Sequence, residues 1–174
     1  MYKIISLIVL ITLGLPIGSD HGSPQAPEIV TVKAPDQVVI KLSGSVETTI
    51  EVTVKKGYHV QANPVRDENL IPTRLEMKPH KGIIPDRPIY PAGKSFRLKG
   101  TSKDLSTYDG TFVIRLAIKV LASAQPGDRL LEGKLHYQAC DSLQCLFPRS
   151  VSVTIPVKVT KGIPLKDTKR KKGK

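Results

Sequence analysis

The stretch Phe112-Val113-Ile114-Arg115-Leu116-Ala117-Ile118-Lys119-Val120 decides the fold class. Phe112, Ile114, Leu116, Ile118 and Val120 alternate with Val113, Arg115, Ala117 and Lys119. Successive side chains of a β-strand point to opposite faces, so a period of two gives one apolar face and one more polar face. Three further segments share the period: Ile50, Val52 and Val54; Leu131, Gly133, Leu135, Tyr137 and Ala139; Val151, Val153, Ile155, Val157 and Val159. Weaker strand candidates lie near Ile29–Lys33, Val38–Leu42, Arg74–Lys78 and Phe96–Lys99. Turn residues punctuate these runs at Ser43-Gly44, Lys56-Gly57, Asp109-Gly110 and Pro126-Gly127. No stretch carries a convincing helical period. About eight strands between Glu28 and Thr160 predict an all-β chain folded as an immunoglobulin-like antiparallel β-sandwich. Pro156 removes a ladder donor, which predicts an edge position for the last strand. Asn63 to Pro91 contains Pro64, Pro72, Pro79, Pro85, Pro88 and Pro91 and predicts long, stiff loops.

Outward from this body, the ends differ in composition. The run from Ile4 to Ile17 is almost wholly apolar and is broken by Gly14-Leu15-Pro16. It is too short to span a hydrocarbon core of about 30 Å as a helix. It reads as a secretory signal peptide over residues 1–19, cleaved after Gly18 or Ser19, with a buried N-terminal element as the alternative. Residues 20–27 read as a flexible leader, and the mature chain is expected to be soluble, exported and periplasmic. Residues 161–174 hold seven bases and one acid and read as a disordered basic tail. Its functional reading is attraction to an anionic membrane surface; the alternative is a solvated end without a partner. The net charge of +12 over 174 residues first suggests nucleic acid. Half of that excess sits on the tail, however, and the rest is spread over residues 28–160 without a basic run. With an export signal and few aromatic rings for base stacking, no nucleic-acid partner is expected.

Cys140 and Cys145 are the chain's two cysteines and lie in a single strand connection. A disulfide closing so short a loop stabilises little, by roughly 2 kcal/mol in the chain-entropy model. Its placement suits access by another protein's thiolate. Redox exchange, a plain staple and metal binding all remain open from spacing alone. A metal would require His59 or His136 to converge on the pair, yet His136 is four residues from Cys140, about 13 Å along a strand. Asp141 either acts on the thiol or simply serves the turn. His59 and Tyr58 precede a proline-rich loop and are candidates to line a site. No hydrolytic or phosphate-binding motif is present.

Tyr137-Gln138-Ala139-Cys140-Asp141 with Cys145-Leu146-Phe147-Pro148 resembles the active-site segment of the N-terminal periplasmic domains of the thiol:disulfide interchange protein DsbD. Gly57-Tyr58-His59-Val60-Gln61-Ala62-Asn63-Pro64 is similar to that family's strand-and-loop motif, and Leu70-Ile71-Pro72-Thr73 and Tyr90-Pro91 follow in order. The resemblance covers roughly Glu28 to Thr160. It implies an immunoglobulin-like domain with a redox-active Cys140–Cys145 pair, in which Cys145 forms the mixed disulfide and Cys140 resolves it. It implies no metal and no organic cofactor. The implied partners are a membrane electron donor of DsbD type and thioredoxin-like periplasmic proteins, including those of cytochrome c maturation. It also implies a cap loop over the cysteines, matching Asp86 to Gly93, with Tyr90 the candidate shielding ring and Asp86 and His59 beside it. Two departures stand out: Phe147 separates Leu146 from Pro148, and the sequence stops where DsbD continues into a membrane domain. The donor is therefore expected to be another polypeptide. The alternative to interchange is a non-catalytic immunoglobulin-like binding or assembly domain with a structural disulfide.

Overall fold

The computed structural model describes residues 28–162; the expected signal peptide, the leader and residues 163–174 of the tail lie outside them. The described residues form twelve strands and no helix: β1 (Val30–Lys33), β2 (Val38–Lys41), β3 (Ser45–Val54), β4 (His59–Gln61), β5 (Arg74–Met77), β6 (Ile83–Pro85), β7 (Lys94–Arg97), β8 (Asp104–Tyr108), β9 (Thr111–Val120), β10 (Gly127–Tyr137), β11 (Ala139–Cys140) and β12 (Arg149–Thr160). The four strongly alternating segments are β3, β9, β10 and β12, and the four weaker candidates are β1, β2, β5 and β7. The count of about eight omitted β4, β6, β8 and β11. β4, β6 and β11 are two or three residues long, too short for a period of two to emerge, and β8 carries the polar Thr107 beside Leu105 on one buried face, so it shows no apolar alternation.

Three four-stranded sheets result, ordered β1-β3-β9-β6, β2-β12-β10-β5 and β11-β4-β8-β7. The first two form the sandwich. Their inward positions are the apolar halves of the alternating runs: Ile50, Val52 and Val54 from β3, Ile114, Leu116, Ile118 and Val120 from β9, Leu131 and Leu135 from β10, and Val153, Ile155, Val157 and Val159 from β12 are all buried in one cluster. The long pairing of β10 with β12, from Gly127↔Val159 to Tyr137↔Arg149, forms the spine of the second sheet.

The expected edge position of β12 is incorrect, because β12 lies between β2 and β10. Pro156 is nonetheless accommodated for a local reason. β2 pairs with β12 only from Val157 onward, so one side of the strand is still open at Pro156, where a missing donor is tolerated.

The third sheet carries the cysteines. Its inner face gives Val60, Tyr108 and Ala139 to the main core. Directly opposed residues in an antiparallel ladder share a face. Cys140 opposes His59, Gln61 opposes Thr107, and Phe96 opposes Leu105. These six residues therefore line the other face, turned away from the main core. Gln61, Thr107, Leu105 and Cys140 are nevertheless buried. The sheet is thus covered on both sides at these positions.

Candidate functional site

Cys140 and Cys145 are joined by a disulfide. Backbone geometry brings them together. They form an isolated antiparallel bridge, Asp141 N–H donates to the Gln144 carbonyl at 2.9 Å, and Leu146 N–H donates to the Ala139 carbonyl at 2.7 Å. The two sulfurs differ in access. Cys140 is 0% exposed, whereas Cys145 is half-buried and stands beside Leu143, 67% exposed, and Phe147, 90% exposed. The outer cysteine is thus partly open to solvent, in a loop whose Leu143 and Phe147 are exposed, and the inner one is sealed.

Asp141 serves the turn. Its Oδ1 accepts the N–H groups of Leu143 at 2.7 Å and Gln144 at 2.9 Å. These bonds hold its carboxyl below the usual carboxylate range, so its charge is directed at loop amides. Gln138 pins the loop from the other side. Its Nε2 donates to the Leu146 carbonyl at 3.1 Å, and its Oε1 accepts the Ile71 N–H at 2.8 Å. Lys99 N–H donates to the Ser142 carbonyl at 2.9 Å, fastening the β7–β8 hairpin to the cysteine loop.

His59 lies in the site, opposite Cys140, with its ring stacked on Phe96 at 3.7 Å. Burial pushes the imidazole below its ordinary value, opposed by Asp109 and assisted by Lys94. His136 is elsewhere, its Nε2 3.3 Å from Glu76 Oε2 on β5. The segment expected as a cap, Asp86 to Gly93, makes the following contacts. Asp86 makes an exposed ion pair with Lys119 at 2.7 Å on the first sheet, which holds its carboxyl low. Tyr90 packs its ring against the main core, and its hydroxyl accepts the Leu75 N–H at 2.8 Å. Burial raises that phenol above its ordinary value. Phe96 of β7 is the ring stacked on His59, on the face that carries Cys140. The end of the expected cap segment still buttresses β4: a Cβ on Gly93 would meet the Ser106 hydroxyl, and Ala62 Cβ at 2.6 Å.

Sequence reasoning missed Gln61. It is 0% exposed, and its Nε2 donates to Cys140 Sγ at 3.0 Å and lies 3.8 Å from Cys145 Sγ. Its Oε1 is buried without a hydrogen-bond partner. The available signal was its position two residues after His59, which places it on the same strand face. The site can therefore perform thiol–disulfide exchange at an accessible sulfur backed by a buried one, with an amide donor on the buried one.

The sequence pattern of the N-terminal domain of the thiol:disulfide interchange protein DsbD matches residues 27–157. Among solved structures, the N-terminal periplasmic domain of ScsB from Proteus mirabilis aligns with a TM-score of 0.49 and 17% identity, over 74% of this chain and 47% of that one. The chain thus spans about half the length of that structure. The E. coli chaperone DraB aligns with a TM-score of 0.33 and 16% identity, over 76% of this chain and 54% of that one. No curated protein matches. Among the described residues, no helix is long and apolar enough to cross a membrane.

Proposed function

The chain belongs to the family of the N-terminal domain of the thiol:disulfide interchange protein DsbD, and from that premise we propose that it relays electron pairs in the periplasm through Cys140 and Cys145. A donor thiolate attacks Cys145 Sγ, the Cys140–Cys145 bond breaks, and Cys140 leaves as a thiolate. The donor's second thiolate then attacks the donor sulfur of the mixed disulfide and frees Cys145. Two electrons have moved to the domain, and the donor holds a new disulfide. Delivery is the reverse: Cys145 attacks the acceptor's disulfide, and Cys140 attacks Cys145 Sγ to release the reduced acceptor.

The observation that carries this reading is the unequal access of the two sulfurs, with a half-buried Cys145 backed by a sealed Cys140. An attacking thiolate can reach the former and not the latter. By family, the partners are thioredoxin-like proteins and a membrane electron donor. Residues 1–19 direct export, and the basic tail draws the domain to anionic lipid. No metal or organic cofactor takes part.

A Cys140→Ala variant tests the assignment. Its Cys145 should trap a thioredoxin-like protein as a mixed disulfide, whereas Cys145→Ala should trap none. Equal trapping by both variants would overturn the division of roles. Redox titration against glutathione tests the activity itself. A pair that stays oxidised below about −300 mV would be a staple, and the non-catalytic reading would replace this one.

A further inference from the structure

We propose that Gln61 is a positioning residue for the exchange reaction, whose carboxamide stabilises the Cys140 thiolate. The inference rests on the interchange reading above and deepens it. In both directions of exchange Cys140 passes through a thiolate, as leaving group when the domain is reduced and as attacking group when it is oxidised. Burial works against that charge, since an ionised sulfur out of water is disfavoured. Cys140 is 0% exposed. The titratable side chain that faces Cys140 is His59, directly opposite it in the ladder, and burial lowers its pKa and so disfavours the imidazolium that would otherwise support a thiolate. The hydrogen-bond donor on the sulfur is the Gln61 Nε2–H at 3.0 Å. The same N–H lies 3.8 Å from Cys145 Sγ, so it favours the inner sulfur.

The other half of the amide strengthens the case. A buried polar atom without a partner is costly, and an apolar side chain would avoid that cost. Gln61 Oε1 is such an atom. Turning the amide by half a turn about its last torsion would exchange its oxygen and nitrogen. The oxygen would then accept the S–H of a protonated Cys140. One side chain can therefore serve both protonation states, donating to the thiolate and accepting from the thiol. The backbone holds Gln61 firmly in place beside the sulfur. Its carbonyl accepts the Thr73 hydroxyl at 2.6 Å and the Thr73 N–H at 3.0 Å, and its N–H donates to the Gln138 carbonyl at 3.0 Å.

The test has two readouts. In a Cys145→Ser background, ultraviolet thiolate absorbance follows Cys140 alone. Gln61→Leu should move its midpoint up by about one unit or more, a tenfold loss of thiolate at fixed pH. In the chain with both cysteines, Cys145 is first loaded with glutathione, and release is timed as Cys140 closes the disulfide. Gln61→Leu should close about threefold more slowly below the Cys140 midpoint, the loss of thiolate being partly offset by the greater nucleophilicity of a more basic sulfur, and should match or exceed the wild-type rate at high pH. Gln61→Met, similar in length and without a donor, should behave alike and guards against a folding defect peculiar to Leu. A side chain that merely fills space would change the melting temperature and leave both profiles in place; that result overturns the proposal. Should neither variant fold, the wild-type Gln61 side-chain amide resonance must follow the Cys140 titration by NMR, and an amide blind to it also overturns the proposal. Neither readout needs a protein partner. A shifted profile in a domain that exchanges with no thioredoxin-like protein would sink the relay and spare this inference; the reverse pattern would do the opposite.

Discussion

Tyr108 ties the loop that follows β4 to the end of the segment before β7, and removing one oxygen atom should measure that tie. Its hydroxyl accepts the Asn63 N–H at 3.0 Å and donates to the Pro91 carbonyl at 2.9 Å. Tyr108→Phe deletes both bonds and keeps the ring, which stacks on Phe112 at 4.3 Å. A hydrogen bond contributes about 0.5–1.5 kcal/mol net, and the groups left behind are only part-buried, so the expected cost is about 2 kcal/mol. For a domain of this size that lowers the melting temperature by roughly 6–8 °C. The loss should also be local: the Asn63 amide should exchange its hydrogen much faster, while amides in the β10–β12 ladder change only with global stability. Alkaline pH supplies an independent check. Burial raises the Tyr108 phenol above its ordinary value of 10.0, and the same holds for Tyr90 and Tyr137. A group with a raised folded value gives stability that is complete below its unfolded value and lost as pH rises through the folded one. The wild-type domain should therefore weaken above pH 10, and Tyr108→Phe should weaken less steeply there. Unchanged stability together with an Asn63 amide still protected would refute the reasoning, because the hydroxyl would then not hold the loop.

Phe96→Ala removes the ring stacked on His59, and since burial is the largest cause of that imidazole's lowered value, its NMR titration should move up toward 6.5. The wild-type domain should lose stability as pH falls through about 6.5 toward the depressed value, and the variant should lose less over that window; a midpoint that stays put would mean that another group buries the imidazole. Gly133→Ala should cost about 1–3 kcal/mol by overpacking in urea unfolding. A Cβ there would press on the Glu76 carbonyl and Met77 Sδ and come within 2.9 Å of Met77 Cα. Because backbone cannot yield as a side chain does, β5 must shift; a variant as stable as the wild type would show that the β5–β10 pairing is looser than the register Gly133↔Met77 implies.

The parts of this fold that are legible in the sequence are those whose burial is decided by a strand's own alternation. Ile114, Leu116 and Ile118 turn inward because, with Phe112 and Val120, they make one unbroken apolar face on β9, whereas Arg115 and Lys119 interrupt the other, and the sandwich follows. The cysteine site is harder because its sheet is buried on both faces. In His59-Val60-Gln61 the polar residues read as the wet side of a strand, and Val60 does face the main core. Polarity at alternate positions shows only which side is turned away from that core; whether that side is wet depends on what covers it. Here the cover is the cysteine loop, held by Lys99 and Ser142, and the His59–Phe96 stack. The pairing of β4 with β11 brings Gln61 to Cys140 across 79 residues, a separation no local pattern encodes. The same reasoning accounts for the contacts of Tyr90 with the main core and of Asp86 with Lys119. Both residues lie at suitable places along the chain for a cap; β6 carries that segment to the first sheet, and the ring on the cysteine-bearing face comes from the next hairpin. A buried amide on a buried sulfur is therefore the feature to seek in such domains: once the strand opposite the inner cysteine is known, the residue two positions beyond its direct partner shares the sulfur's face.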